Sequence, residues 1–415
     1  MRSRHILYSV SLVFVLFCVE IGCRHVTEPG NGPSPPDNIP VDYTLQAGNY
    51  IVLDRTQTPG HGQKLTYFWT PDKSNPDSLW ALPNSPTQTF GFTKEGIYRF
   101  YFVFNDGVKD SETDTIVVKV LSRNEILFED PKLEMCVRWR LKAPTGALSG
   151  VMLQSLDSLQ CVYFADGVSS LRGLEQCKNL EWLWMSLQRI SEVTPLAGLG
   201  KLHSIELDQN RVIRDISALA GLTGLKRLNL MVNQISDITP LASLTNLKYL
   251  NLMENPVHDL SVLRNFAQLE ELWLDYYSLP DISPLSALRQ LRVLWMTTCQ
   301  LSDITVVSTL TNLRWLVVGT NRITDISAVS NLVQLELLYI DGNQVVDISA
   351  IERLTQLRRL DLSNNRITNI EPLVRNAGLG AGDVVSLLGN PLDSASVYQH
   401  IPALKARGAA VLFRP

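Results

Sequence analysis

Six histidines and six cysteines in a chain of 415 residues are the first places to look for metal or nucleophilic chemistry. A catalytic zinc needs ligands clustered on a short element, as in H-E-x-x-H. His5, His25, His61, His203, His258 and His400 have no such spacing. There is no G-x-S-x-G elbow, no Walker loop and no G-x-G-x-x-G after a strand. The glycine cluster Gly378 to Gly382 reads as a turn rather than a phosphate cradle. Asp237, Asp259, Asp281, Asp303, Asp325 and Asp347 recur at one phase of a regular interval. That regularity marks a structural turn position, not a catalytic carboxylate pair. The expectation is a protein with no catalytic residues, no metal and no cofactor.

Aromatic residues carry a different chemistry, that of stacking and apolar contact, and for them to act together a sheet must line them up. Leu225, Leu247, Leu269, Leu291, Leu313, Leu335 and Leu357 recur every 22 residues. A fixed period of this size indicates a solenoid, each repeat adding one short strand such as residues 227–231. Leucines on the strand turn inward, and the alternate residues turn out onto the concave face. An amide closes most strands, in Asn210, Asn233, Asn255, Asn321, Asn343 and Asn365, and can bond the backbone of the turn. Gln188, Tyr277 and Cys299 stand at the same phase and should weaken that ladder. The repeat starting at Leu202 is 23 residues long, which predicts a bulge in the stretch 212–215.

These coils, cleanest at Asn-Gln-Ile-Ser-Asp-Ile-Thr-Pro-Leu in 233–241, resemble the leucine-rich repeats of the internalin-like bacterial family over about residues 124–413. The resemblance implies repeats over 158–376, a helical N-terminal cap over 122–157 carrying the sequence Phe128-Glu129-Asp130-Pro131, and a closing unit over 377–415. Caps are physically necessary, because an end coil otherwise exposes its apolar side.

Outward strand positions hold Trp182, Trp184, Trp273, Trp295 and Trp315, five of the eight tryptophans in the chain. Tyr249 and Tyr339 join them, and Glu206, Asp208, Glu271, Asp275, Asp341 and Asp361 outnumber Arg227 and Arg359 on the same surface. Neighbouring strands lie about 4.8 Å apart, so Trp273 should stack on Trp295, with Trp315 and Tyr339 continuing the patch. Contiguous exposed aromatic surface is a signature of binding. The ligand-binding set read from this face is Trp182, Trp184, Tyr249, Glu271, Trp273, Asp275, Trp295, Trp315, Tyr339 and Asp341. Such a face can grip Lys or Arg side chains of a protein partner by cation–π and ionic contacts, or stack on sugar rings. A protein partner is the commoner use in the family this sequence resembles. A carbohydrate-binding surface protein and a structural spacer of the envelope are the alternatives.

The charge balance, Lys+Arg 37 against Asp+Glu 41, leaves −4, with no basic excess for nucleic acid. Residues 1–23 read as an export segment, basic at Arg2 and Arg4 and apolar from Ile6 to Val19. Ile21-Gly22-Cys23 resembles a bacterial lipobox, implying lipidation of Cys23, although Glu20 stands where that motif carries Leu. Residues 24–40, rich in Pro and Gly, form a tether. Localisation is then the cell envelope through a lipid anchor, or secretion, with no other contact with the membrane. Four cysteines remain, Cys136, Cys161, Cys177 and Cys299. Two disulfides can form in an exported protein. The preferred reading makes Cys161 and Cys177 small buried hydrophobes, because other repeats fill their positions with Leu or Ile.

Over 41–121 short alternating runs between turns predict an antiparallel β-sandwich. The stretches Leu65-Thr66-Tyr67-Phe68-Trp69 and Gly96-Ile97-Tyr98 resemble a PKD or related immunoglobulin-like domain, in which Trp69 is core. Asp106-Gly107 is read as a turn before it is read as a calcium ligand. The fold class expected is mixed: a β-sandwich followed by a capped leucine-rich-repeat solenoid with a parallel β-sheet on its concave face.

Overall fold

The computed structural model describes residues 43–46, 50–54, 66–77, 79, 87–92, 94–105, 110–111, 113–121, 128–143, 148–161 and 167–414. The export segment with Cys23, the 24–40 tether, Asp106-Gly107, His5, His25 and His61 lie outside the described residues.

The first strands are β1 (Tyr43–Gln46), β2 (Tyr50–Asp54), β3 (Thr66–Pro71), β4 (Thr87–Gly91), β5 (Gly96–Asn105) and β6 (Asp114–Leu121). They form a four-stranded sheet in the order β1-β6-β5-β3 and a two-stranded sheet of β2 and β4. Alternation puts Phe100, Phe102, Val118 and Val120 on one side of the larger sheet, where they are buried with Trp69, Phe90, Phe92 and Tyr98. Phe90 of β4 meets Phe100 of β5 at 4.3 Å between ring centroids, joining the two sheets. Trp69 packs on Phe102 at 4.7 Å, as a core residue does. The pairing of β1 with β6 is parallel. The sequence pattern predicts antiparallel strands throughout, but a side-chain period of two is the same in both arrangements and does not distinguish them.

From Phe128 onward a second core begins. A helix over Pro131–Leu141 starts where it should: Pro131 needs no amide partner at the first turn, and Asp130 accepts the amide of Lys132 at 2.8 Å. The other oxygen of Asp130 accepts from the amide and hydroxyl of Ser169, at 2.6 and 2.8 Å, tying the helix start to the first repeat.

Twelve short strands follow in one parallel sheet: β7 (Ser158–Gln160), β8 (Trp182–Trp184), β9 (Ser204–Glu206), β10 (Arg227–Asn229), β11 (Tyr249–Asn251), β12 (Glu271–Asp275), β13 (Val293–Thr297), β14 (Trp315–Val317), β15 (Leu337–Tyr339), β16 (Arg359–Asp361), β17 (Val384–Ser386) and β18 (Ala410–Leu412). Each pairs with its sequence neighbours, so the sheet is a solenoid sheet with no crossover. Leu228, Leu250, Leu272, Leu294, Leu316, Leu338 and Leu360 are in direct register and buried. On the return side each coil carries a short helical turn, such as Thr239–Ser243 and Ser261–Asn265. Asp237, Asp259, Asp281, Asp303, Asp325 and Asp347 each accept the amide two residues on, at the start of that turn. Hydrogen bonds from the hydroxyl and the amide of that residue hold Asp237, Asp259, Asp281 and Asp303 below the usual carboxylate range. Their regular phase is therefore turn chemistry.

One cysteine expectation is corrected. Cys161 is bonded to Cys136, with 5.6 Å between their α-carbons, so the helix of the first cap is covalently joined to the end of β7. Position 161 occupies an inward phase, as expected, but an inward thiol beside a capping helix meets the thiol on that helix, which the repeat pattern does not contain. Closing a loop with a sequence separation of 25 constrains the unfolded chain by about 3 kcal/mol. Cys177 and Cys299 are free and buried, and burial pushes both thiols up to about 12, so neither is a ready nucleophile.

At the other end the Gly378 to Gly382 run is a close-approach turn. A side chain at Gly378 would meet the carbonyl oxygen of Thr355 at 2.0 Å. Beyond it β17 and β18 prolong the same sheet, and a helix over Ile401–Ala406 buries Ile401 and Leu404 in the core.

Candidate functional site on the outer face of the parallel sheet

The amide ladder decides how each strand ends, and therefore where outward side chains sit. Nδ2 of Asn343 donates to the carbonyls of Val318, Ile340 and Asp341, and its Oδ1 accepts the amide of Ile323 at 2.9 Å. Asn210, Asn255, Asn321 and Asn365 do the same in their coils. The residue before the amide takes positive φ in coil after coil: Gln209, Val232, Glu254, Thr320, Gly342 and Asn364. For a residue other than glycine this costs about 1 kcal/mol, offset by the buried amide bonds that follow. The ladder has two faults. Oδ1 of Asn233, in the coil after the 23-residue repeat, lacks a hydrogen-bond partner; the extra residue falls where Arg211 adopts φ 68° and Val212 is exposed. The second fault is at Tyr277 and Cys299, whose side chains offer no amide.

At the second fault the sheet changes. Strands β12 and β13 pair over five residues, Glu271–Asp275 with Val293–Thr297. Other neighbouring pairs, such as β10 with β11, run over three. The turn that follows is kept, since Tyr276 and Thr298 take positive φ at the same phase. The two longer strands carry Trp273 opposite Trp295, stacked at 5.1 Å between centroids and 21° between planes. The indole N–H of Trp295 donates to Thr297 at 3.1 Å.

Register then places the rest of the residues singled out from sequence. One row across the face runs Trp182, Ser204, Arg227, Tyr249, Glu271, Val293, Trp315, Leu337 and Arg359. The next runs Trp184, Glu206, Asn229, Asn251, Trp273, Trp295, Val317, Tyr339 and Asp361. Trp315 is thus in the first row, beside Val293, and Val317 interrupts the second between Trp295 and Tyr339. The expected continuous patch is a stacked pair with Trp315 set diagonally. Trp182 and Trp184 lie four strands from Trp273, on the order of 19 Å away, and form a separate patch.

Exposure divides the two patches. Trp182 and Trp184 are 55% and 49% exposed, whereas Trp273 and Trp295 are only 6% and 8% exposed. The stacked pair presents little of its surface, because stacking covers one face of each ring and the neighbouring coils cover more. Several polar groups around it are paired. Arg227 pairs with Glu206 and lies 3.5 Å from the centre of the Tyr249 ring. Burial pushes the Glu271 carboxyl up, against the pull of Arg227 and of a hydrogen bond from Trp273.

Three aspartates sit further along the same outward phase. Asp208 accepts from the hydroxyl of Ser186, and burial raises its carboxyl. Burial and the nearby Asp361 push Asp341 up to about 6. Asp275 is 4% exposed, and burial pushes it up to about 7 despite a 2.7 Å bond from the amide of Glu254. Its other oxygen, Oδ2, is buried and without a hydrogen-bond partner. Its composition makes the face acidic; desolvation makes part of that charge conditional on pH, which composition does not reveal. Among the described residues no group of three or more His, Cys, Asp and Glu is placed to hold a metal ion, and no helix is long and apolar enough to cross a membrane.

A solenoid of parallel strands, inward leucines and buried asparagine turns defines a leucine-rich-repeat protein. A family model described as leucine-rich repeats (2 copies) matches residues 223–265 and 333–375. A crystal structure of an internalin, InlF, from Listeria monocytogenes is similar with 30% identity and a TM-score of 0.58, over 69% of this chain and 91% of that one. The functional domain of InlJ from the same organism, whose structure is described as including a cysteine ladder, shares the fold at 21% identity and a TM-score of 0.55, over 69% of this chain and 60% of that one. No curated protein matches the sequence. The chain belongs to the internalin family of leucine-rich-repeat proteins.

Proposed function

We propose that this chain is an exported, lipid-anchored recognition protein of the cell envelope that binds a protein partner on the concave face of its solenoid and catalyses no reaction. One observation carries this reading: Trp182 and Trp184, two residues apart on β8, stand 55% and 49% exposed on the strand face of the sheet. Two adjacent indoles held open to water on a rigid strand are costly unless a ligand covers them. Their rigidity spares a partner the cost of ordering them, which favours tight contact. In this reading Cys23 carries the lipid, residues 24–40 are the tether, and 41–121 form a PKD-like β-sandwich spacer. The solenoid over 158–376, closed by 122–157 and 377–415, then presents Tyr249, Glu271, Trp273, Asp275, Trp295, Trp315, Tyr339 and Asp341 as the central part of the interface.

The test compares the wild type with Trp182→Ala/Trp184→Ala and with Trp273→Ala/Trp295→Ala in pull-downs from envelope extracts, alongside a glycan array. Loss of a captured protein in the first variant, with its thermal unfolding unchanged, is the expected outcome. Undiminished capture by both variants would leave the face without a role, and glycan binding without protein capture would assign it to carbohydrate.

A further inference from the structure

The faults of the repeat coincide. At β12 and β13 the amide ladder is missing, the strands lengthen to five residues, two indoles stack, and a carboxylate is buried with one oxygen unpartnered. Asp275 follows Trp273 by two positions on one strand, so both side chains leave the sheet on the same face. Oδ1 of Asp275 is held by the amide of Glu254 at 2.7 Å. Oδ2 holds no donor, so it can accept one from an incoming group while Oδ1 keeps the amide of Glu254. The charged neighbour that acts on Asp275 is Glu254, a second carboxylate. Arg227 is committed to Glu206 and to the Tyr249 ring. A buried carboxylate beside an acidic group and stacked rings is unfavourable until a cation reaches it.

We infer that Asp275, at the edge of the Trp273–Trp295 stack, is the seat for a basic side chain, lysine or arginine, of the bound protein. The inference rests on the protein-binding reading above and names the chemistry at its centre. A long side chain entering here ends in a charge-assisted hydrogen bond to Oδ2. Binding of the cation favours ionised Asp275, so affinity is full above pH 7 and falls as the carboxyl takes up its proton. The titratable groups facing it are Glu254 on the preceding coil, Tyr276 on its own and Cys299 on the next. Tyr276 is raised by burial and stays neutral across this range, as does Cys299 at about 12.

The experiment uses the full chain and three capped pentapeptides, Gly-Gly-X-Gly-Gly with X as lysine, arginine or norleucine, at millimolar concentration. Indole N–H resonances of Trp273 and Trp295 and the carboxyl carbon of Asp275 are followed by NMR. The lysine or arginine peptide is expected to move these signals and norleucine to leave them. Asp275→Asn should weaken binding at least about tenfold, with Asp325→Asn as a control on a distant turn. Between pH 8 and pH 5.5 the wild type should lose about thirtyfold in affinity, and Asp275→Asn should lose none. Equal effects of norleucine, undiminished binding by Asp275→Asn, or no response to either basic peptide would overturn the assignment. If envelope capture depends on Trp182 and Trp184 while these peptides fail, the inference falls and the recognition reading stands.

Discussion

Asp275 shows how one side chain's setting outweighs its identity. Its carboxyl is raised to about 7 by burial, against about 3.9 for an unfolded aspartate. The folded protein therefore holds that proton over a range where the unfolded chain has lost it, and stability from this group is complete below the unfolded value and drains away as pH rises towards 7. Asp275→Asn, which removes the charge and keeps the shape, should raise the unfolding temperature at pH 8 and leave it nearly unchanged at pH 4. The gain at pH 8 is up to about 4 kcal/mol. Thermal melts at the two pH values check this, and an equal shift at both would mean that burial of the charge is not the cause. The exposed turn aspartates carry the same functional group with the opposite tendency, because Asp237 and Asp259 accept hydrogen bonds instead of losing water.

At the scale of the element, the coil is held by its amide, and the two kinds of asparagine make the point measurable. Asn343 uses both ends of its side chain, whereas Asn233 donates to Leu207, Leu230 and Met231 but its Oδ1 accepts nothing. Truncating Asn343→Ala strands a buried backbone amide at Ile323 in addition to the carbonyls, so it should destabilise by about 1 kcal/mol more than Asn233→Ala. Denaturant unfolding of both variants tests the difference; equal losses would show that the fault at Asn233 is healed in solution. The 23-residue repeat was visible in the chain, but the fault that follows it was not. The amide of the coil that follows, Asn233, has its Oδ1 without a partner, and partnering is a relation between neighbours in space. Likewise Tyr277 and Cys299 could be recognised as departures from the ladder, while the longer pairing of β12 with β13 emerged only when the backbone was laid out.

For the whole molecule, opposing carboxylates set the response to acid. Asp237, Asp259, Asp281 and Asp303 withdraw their support as pH falls below the ordinary carboxylate range. Asp275 and Asp341, raised to about 7 and about 6, cost stability as pH rises from that range to neutrality. Asp208 and Glu271 are raised in the same sense. The unfolding temperature should therefore peak at about pH 4 to 5 rather than at neutrality; a calorimetric pH series with a maximum at pH 7 or above would contradict the burial of these groups. The sequence by itself determined the coil. A 22-residue period in leucine and asparagine leaves one economical way to bury the leucines and bond the amides, and the place of each outward residue on its strand follows from alternation. It also led to the Trp273–Trp295 contact, because equal periods put equal phases side by side. Only the tertiary structure decided which aromatic residues remain open to solvent, which carboxylates lose their water, and that Cys161 meets Cys136. Phase fixes the direction in which a side chain leaves the backbone, but exposure, charge state and bonding depend on what the adjoining coils and cap place around it, and those neighbours differ from coil to coil.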